Sequence, residues 1–182
     1  MIPKKIHYIW LGKNSYPNLM DICINSWREK LPDYEIIEWN EENLNFYEEI
    51  EKNRFLKECY NRKLWAFLSD YFRIKVLYEE GGVYLDTDMQ IIKNIDKLLS
   101  NDFFIGAESE KVISAGIIGV IPKHPLMKKI LEFYSVAIWN EPIFTIPDII
   151  TRVINREYDF QINEDITKIT GSMVIYPPRY FY

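Results

Sequence analysis

A chain of 182 residues with a net charge of −5, 48% hydrophobic and 27% charged, is large enough for one packed domain and too apolar for disorder. Its acidity sets aside a nucleic-acid backbone as partner. Its two cysteines, Cys23 and Cys59, set aside a disulfide framework and fit a reducing compartment.

Lys5 to Leu11 reads as a first strand, closed by Gly12 and an Asn-Ser-Tyr-Pro turn. No long apolar run follows the lysines at the start, so no secretory leader is expected, and no segment approaches the roughly 20 apolar residues that span a bilayer. A cytoplasmic location is therefore expected, with peripheral attachment at the inner face of the membrane as a further option. From Asn18 to Lys30 apolar residues recur at Leu19, Ile22, Cys23 and Trp27, a helical stripe, and Tyr34 to Trp39 reads as a second strand. Strand, helix and strand at this spacing predict a βαβ unit and a parallel sheet. One or two acidic helices, mostly solvated, are expected between Glu41 and Asn61. Lys63 to Glu80 is the clearest helix, with Leu64, Phe67, Leu68, Tyr71, Ile74, Leu77 and Tyr78 as its apolar face and Gly81 as its C-cap. Strands are expected at Phe103 to Ala107 and Val112 to Ile121, helices at Pro125 to Ile138 and Pro147 to Ile154, and one last strand from Thr170 to Tyr176. Neither a repeat nor a linker interrupts the chain, so residues 1–182 are read as a single domain.

The stretch Gly81-Gly82-Val83-Tyr84-Leu85-Asp86-Thr87-Asp88 stands out. A short apolar run after a double glycine predicts a central strand with two carboxylates at its tip. Alternation along that strand would aim Asp86 and Asp88 the same way, with Tyr84 on their side and Thr87 opposed. Two such carboxylates repel unless a cation sits between them. Oxygen ligands alone suit Mg²⁺ or Mn²⁺, which such sites share with substrate phosphates. Asp70 and Arg73, three apart on one helical face, form an ion pair of small worth if exposed. Trp10 ends the first strand, where ligands gather in parallel sheets. The 15% aromatic content, with 13 Tyr and 5 Trp, supplies rings suited to stacking on bases or sugars. His7 is read as structural and His124 as lying in an exposed turn. Ser114, Ala115 and Gly116 permit close approach of a sugar, or mark a plain strand bulge.

Several blocks carry a resemblance. Ile2 to Trp10 resembles the opening strand of glycosyltransferase family 32. Ser69-Asp70-Tyr71-Phe72-Arg73, then Leu77-Tyr78, then Gly81 through Asp88, is similar to that family's helix–strand signature and to the glucosyltransferase domains of large clostridial toxins. Ala115 to Gly119, His124-Pro125 and the ending Tyr176 to Tyr182 look like its later segments. Residues 62–97 are the specific core of the resemblance. It implies a GT-A fold, a Rossmann-like, mainly parallel sheet flanked by helices. It also implies a retaining transfer of a sugar from a nucleotide donor, a UDP-sugar by expectation, to a growing surface glycan or a lipid-linked oligosaccharide, as in capsule synthesis. By the same resemblance Asp86 and Asp88 hold Mn²⁺ or Mg²⁺ and Asp70 accepts hydrogen bonds from donor hydroxyls. Arg73 then orients Asp70 or contacts the sugar and phosphate, Trp10 holds the base, and Tyr84 contacts the donor. The resemblance implies that relatives continue past the Tyr-Phe-Tyr segment into a tail that helps close over the donor; either this sequence is a truncated form or its lid differs.

Two other readings compete. An apolar strand followed by Asp-x-Asp also occurs in haloacid-dehalogenase-like phosphatases, but those need a later lysine and a spaced acidic cluster, and only Asn163-Glu164-Asp165 stands downstream. The other is a catalytically idle protein that binds sugar nucleotides.

Overall fold

A computed structural model describes residues 1–182. Seven strands form one sheet in the order β2-β1-β3-β5-β4-β7-β6. β1 (Lys5–Ile9) lies between β2 (Glu35–Trp39) and β3 (Gly82–Leu85), parallel to both. The helix α1 (Asn18–Lys30) makes the crossover from β1 to β2, as the βαβ spacing predicts. β5 (Ile113–Val120) then runs antiparallel to β3 and to β4 (Phe103–Ala107). β7 (Met173–Tyr176) returns parallel to β4, and β6 (Thr167–Thr170) closes the edge antiparallel to β7. The architecture is therefore mixed α/β around a parallel core.

Period-two alternation divides the core between the two faces of the sheet. Tyr84, Phe103, Ile105 and Ile118 face a cluster of 33 buried residues built with the helices α2 (Phe46–Lys52), α3 (Arg54–Asn61), α4 (Trp65–Glu80), α5 (Pro125–Ser135) and α6 (Ile146–Glu157). Val83, Leu85, Phe104 and Ile117 face a second cluster of 19, with Trp27 of α1 and the segment from Ile91 to Leu99.

Four expectations need correction. The acidic stretch 41–61 is two helices that are not mostly solvated: Phe46, Ile50, Phe55, Leu56 and Cys59 are buried. Glu48 and Glu51 face solvent, while Glu49 turns inward to accept from the Tyr71 hydroxyl and pair with Lys75, and each helix is anchored by a narrow apolar side too short to register as a period. The last strand is a hairpin, because Gly171 at φ 53 turns the chain between β6 and β7. The predicted helix 125–138 stops at Ser135 and ends in a separate 3-10 turn over Ala137–Trp139. His124 is buried rather than exposed: its Nδ1 accepts from the Leu126 N–H at 3.2 Å, capping α5, and its ring lies against Phe103.

The junction from α4 to β3 is tightly constrained. Gly81 and Gly82 take φ of 64° and 101°. A Cβ on Gly81 would stand 2.6 Å from the Pro122 backbone nitrogen, and one on Gly82 would stand 2.8 Å from His7 Nε2. His7 bolts this junction to the sheet, its Nε2–H donating to the Gly81 carbonyl at 2.8 Å and its Nδ1 accepting from Trp39 Nε1–H at 3.0 Å.

Candidate active site

α4 and the end of β3 bring four predicted residues into one constellation around Arg73. The Arg73 guanidinium pairs with Asp70 at 2.9 Å and with Asp86 at 3.0 Å, and donates to the Ala115 carbonyl at 3.0 Å. It also lies 4.5 Å from the centroid of the Tyr84 ring, whose hydroxyl donates to Asp86 Oδ1 at 3.1 Å. Arg73 is 7% exposed. The Asp70–Arg73 pair is therefore no surface ion pair; it sits in the protein, where losing either partner leaves a stranded charge.

Strand alternation, expected to aim the two carboxylates, does not reach them. β3 stops at Leu85, and Asp86 opens a turn in which the Met89 N–H donates to the Asp86 carbonyl at 3.0 Å. Asp86 and Asp88 still face one space, because the turn wraps around it. They differ in engagement. Asp86 Oδ1 is held by Arg73 and Tyr84, whereas Asp88 forms no ion pair or side-chain hydrogen bond.

That space is a hollow of about 650 Å³ lined by Asp70, Arg73, Asp86, Asp88, the Ser114-Ala115-Gly116 run and Tyr182. Through Ala66, Asp86 and Asp88 it joins a second of about 440 Å³, lined by Trp10, Asn14, Trp65, Ser69 and Tyr84. Beyond Trp10 a third cleft runs past Tyr16 and Asn40. Trp10 is thus held at the far end of the hollow from Asp70, its indole N–H donating to the Asn14 carbonyl at 2.8 Å and its ring edge-on to Tyr16. The Ser114–Gly116 run answers both of its readings. It lies opposite the irregular step between Ile105 and Ala107 and it lines the hollow. A Cβ on Gly116 would stand 2.9 Å from the Tyr182 hydroxyl and 3.5 Å from Asp86 Oδ2. His7 and Arg179 are elsewhere, Arg179 pairing with Asp165 on the surface.

Electrostatics single out two groups. Burial pushes the Asp70 carboxyl up to about 6; Arg73 opposes that shift and Asp86 adds to it. Burial also works against the charge on Arg73, but Tyr84, Asp86 and Asp70 more than offset it and hold the guanidinium charged.

Other lining residues carry no motif. Thr145, the N-cap of α6, and that helix's first residues Ile146 and Pro147 close one wall of the hollow. Trp65 packs over Gly12, where a Cβ would meet its indole at 3.1 Å. Tyr134 is wholly buried, and its hydroxyl, along with Arg73 Nε, has no hydrogen-bond partner. Burial pushes the Tyr134 hydroxyl far up, and the nearby Asp70 charge adds to it. Tyr134 lies on the buried face of α5, and in the sequence only its hydroxyl among apolar neighbours would mark it.

No three acidic, histidine or cysteine side chains cluster as a closed metal cage. Asp88 and the remaining oxygen of Asp86 instead make an open, hard, two-carboxylate edge. That donor set fits a divalent cation completing its shell with water and phosphate oxygens.

Residues 17–105 match the family described as "Glycosyltransferase sugar-binding region containing DXD motif". The chain is 30% identical over 64% of its length to an alpha-1,4-N-acetylglucosaminyltransferase of Homo sapiens, spanning 34% of that protein. It is 28% identical over 79% of its length to inositol phosphoceramide mannosyltransferase 1 of Schizosaccharomyces pombe, spanning 46% of it. Its fold is similar to that of a solved structure named PaToxG Glycosyltransferase, with a TM-score of 0.69 at 18% identity, covering 86% of this chain and 70% of that one. The match takes in the α4–β3 block with its Asp86-Thr87-Asp88, and over that block the chain is similar to the DXD-motif glycosyltransferases.

Proposed function

We propose that this chain is a metal-dependent, retaining glycosyltransferase. It moves a sugar from a nucleotide donor, most simply a UDP-sugar, to a glycan or lipid-linked acceptor. The observation that carries the reading is the Arg73 constellation, which sets two carboxylates on one edge of a hollow running from Trp10 to Asp70. The similarity to the DXD-motif glycosyltransferases supports the reaction class. One named relative carries inositol phosphoceramide in its name, which points to a lipid-linked acceptor for that protein.

In this reading Trp10 stacks against the base, and Asp70 accepts hydrogen bonds from the sugar hydroxyls. Arg73 holds Asp70 and Asp86 in register, and Tyr84 fixes Asp86 from the other side. Asp86 and Asp88 would hold the cation, which when bound neutralises the departing diphosphate. The bond from the anomeric carbon to the diphosphate breaks as the acceptor oxygen bonds to that carbon on the same face. The acceptor's proton passes to the leaving phosphate oxygen. No side chain other than the carboxylates already assigned to Arg73, the donor hydroxyls and the cation stands ready as a glycosyl nucleophile, which favours this front-face course over a covalent intermediate. A cytoplasmic site of action, with the protein lying at the membrane face in surface-polysaccharide synthesis, fits a chain with no helix long and apolar enough to cross a membrane.

The test is turnover of a panel of UDP- and GDP-sugars with Mn²⁺, followed by release of nucleotide. A UDP-sugar is expected to be consumed, and Asp88→Asn to lose that activity with the melting temperature unchanged, since Asp88 holds nothing in the fold. Tight UDP binding with no turnover of any donor would instead identify a sugar-nucleotide binder.

A further inference from the structure

Beside the catalytic hollow runs a second groove of about 270 Å³, lined by Arg54, Phe55, Glu58, Arg62, Trp139 and Phe144. Trp139 and Phe144 are 45% and 47% exposed, unusual for rings this large. Trp139 is nonetheless held in place. The Arg54 guanidinium lies 4.6 Å from its ring centroid, and Phe55 packs edge-on at 6.1 Å. Phe55 in turn meets Phe67 at 6.3 Å, and Phe67 lines the catalytic hollow. Phe144 directly precedes Thr145, another wall of that hollow. A row of rings therefore leads from the reacting centre to the surface.

We propose that this groove is the acceptor-binding site and that its ligand is an oligosaccharide, whose sugar rings stack along Phe67 and Trp139. The assignment rests on the transferase reading above. In that reading the donor's nucleotide takes the opening past Trp10 and Trp65, and its sugar lies at Asp70. A second substrate must then enter past Phe67 and Thr145. The chemistry of the groove selects the class. A sugar ring offers an apolar C–H face to a flat indole and a rim of hydroxyls to charged groups, and Arg54, Glu58 and Arg62 supply that rim. A hydrocarbon tail lying in the groove would desolvate the same three charges without replacing their hydrogen bonds.

The experiment compares wild type with Trp139→Ala and Trp139→Phe on a printed oligosaccharide array, with UDP and Mn²⁺ present throughout. Wild type is expected to bind a subset of the glycans. Trp139→Ala should weaken that binding by about tenfold while Trp139→Phe keeps most of it, and UDP affinity should be the same in all three. Arg62→Gln, at a side chain 70% exposed, gives an independent reading and should weaken the same glycans. Glycan binding equal in wild type, Trp139→Ala and Arg62→Gln overturns the proposal, as does wild type that binds UDP and no glycan. Failure of wild type to bind UDP at all would count against the transferase reading itself.

Discussion

Arg73 is buried in order to organise two acids, and that choice has a cost the sequence does not show. Its guanidinium satisfies Asp70, Asp86 and the Ala115 carbonyl, yet its Nε finds nothing. Replacing Arg73 by Ala strands two carboxylates whose side chains are only 13% and 35% exposed. The expected loss is about 3 kcal/mol, or roughly 6–12 °C in melting temperature for a chain of this size. Arg73→Ala should therefore lose both activity and stability, unlike Asp88→Asn, and calorimetry on the two variants separates a residue that builds the site from one that only works in it. Tyr134 makes the converse case. Its hydroxyl is sealed without a partner, so Tyr134→Phe removes a desolvated polar group and should raise unfolding stability by about 1 kcal/mol in urea. A loss of that size would show that the hydroxyl is bonded in solution.

At the scale of elements, the junction between α4 and β3 is the part most legible in the sequence. The apolar period of 67–78, the double glycine and the run Val83–Leu85 each have one structural meaning, and the structure agrees with all three, while Leu64 falls before α4 and is exposed. The carboxylates one step further on read as strand residues only because side-chain alternation says nothing about where strand pairing ends. Likewise a histidine before a proline is a turn signal, so His124 reads as exposed, and nothing local records that Phe103 packs over it. The same junction sets a pH limit on stability. Burial brings the His7 pKa down to about 4 from the ordinary 6.5, and both ring nitrogens are engaged in the neutral form. The unfolded chain therefore binds a proton that the folded chain refuses. Stability is full above about pH 6.5, falls as the pH drops toward 4, and has lost about 3 kcal/mol from this residue by then. Urea unfolding at pH 7 and pH 4.5 should show that fall in wild type and a clearly smaller one in His7→Gln. An identical fall in both would assign it to His124, whose pKa burial also lowers, and to the carboxylates.

Across the whole molecule, the parallel half of the sheet is legible in the βαβ spacing. The reversal at β5 is not, because a buried apolar strand has the same composition in either direction. The hollow lies where these halves meet, walled by α4 from one and by the Ser114–Gly116 run of β5 from the other. Its charge is unfavourable for the proposed donor. Asp70, Asp86 and Asp88 against Arg73 leave two negative charges, on a chain already at −5. A diphosphate entering without a cation meets repulsion from both the site and the surface, and Arg73, already paired twice, has little left to offer it. Removal of divalent ions with EDTA should therefore lower UDP affinity by about 100-fold or more, equivalent to roughly 3 kcal/mol, and restoring Mn²⁺ should recover it. Raising ionic strength should partly rescue the EDTA-treated protein, since screening weakens the repulsion that the cation otherwise cancels. Isothermal titration at two salt concentrations, with and without EDTA, reads both effects, and UDP binding indifferent to EDTA would remove the cation from the mechanism.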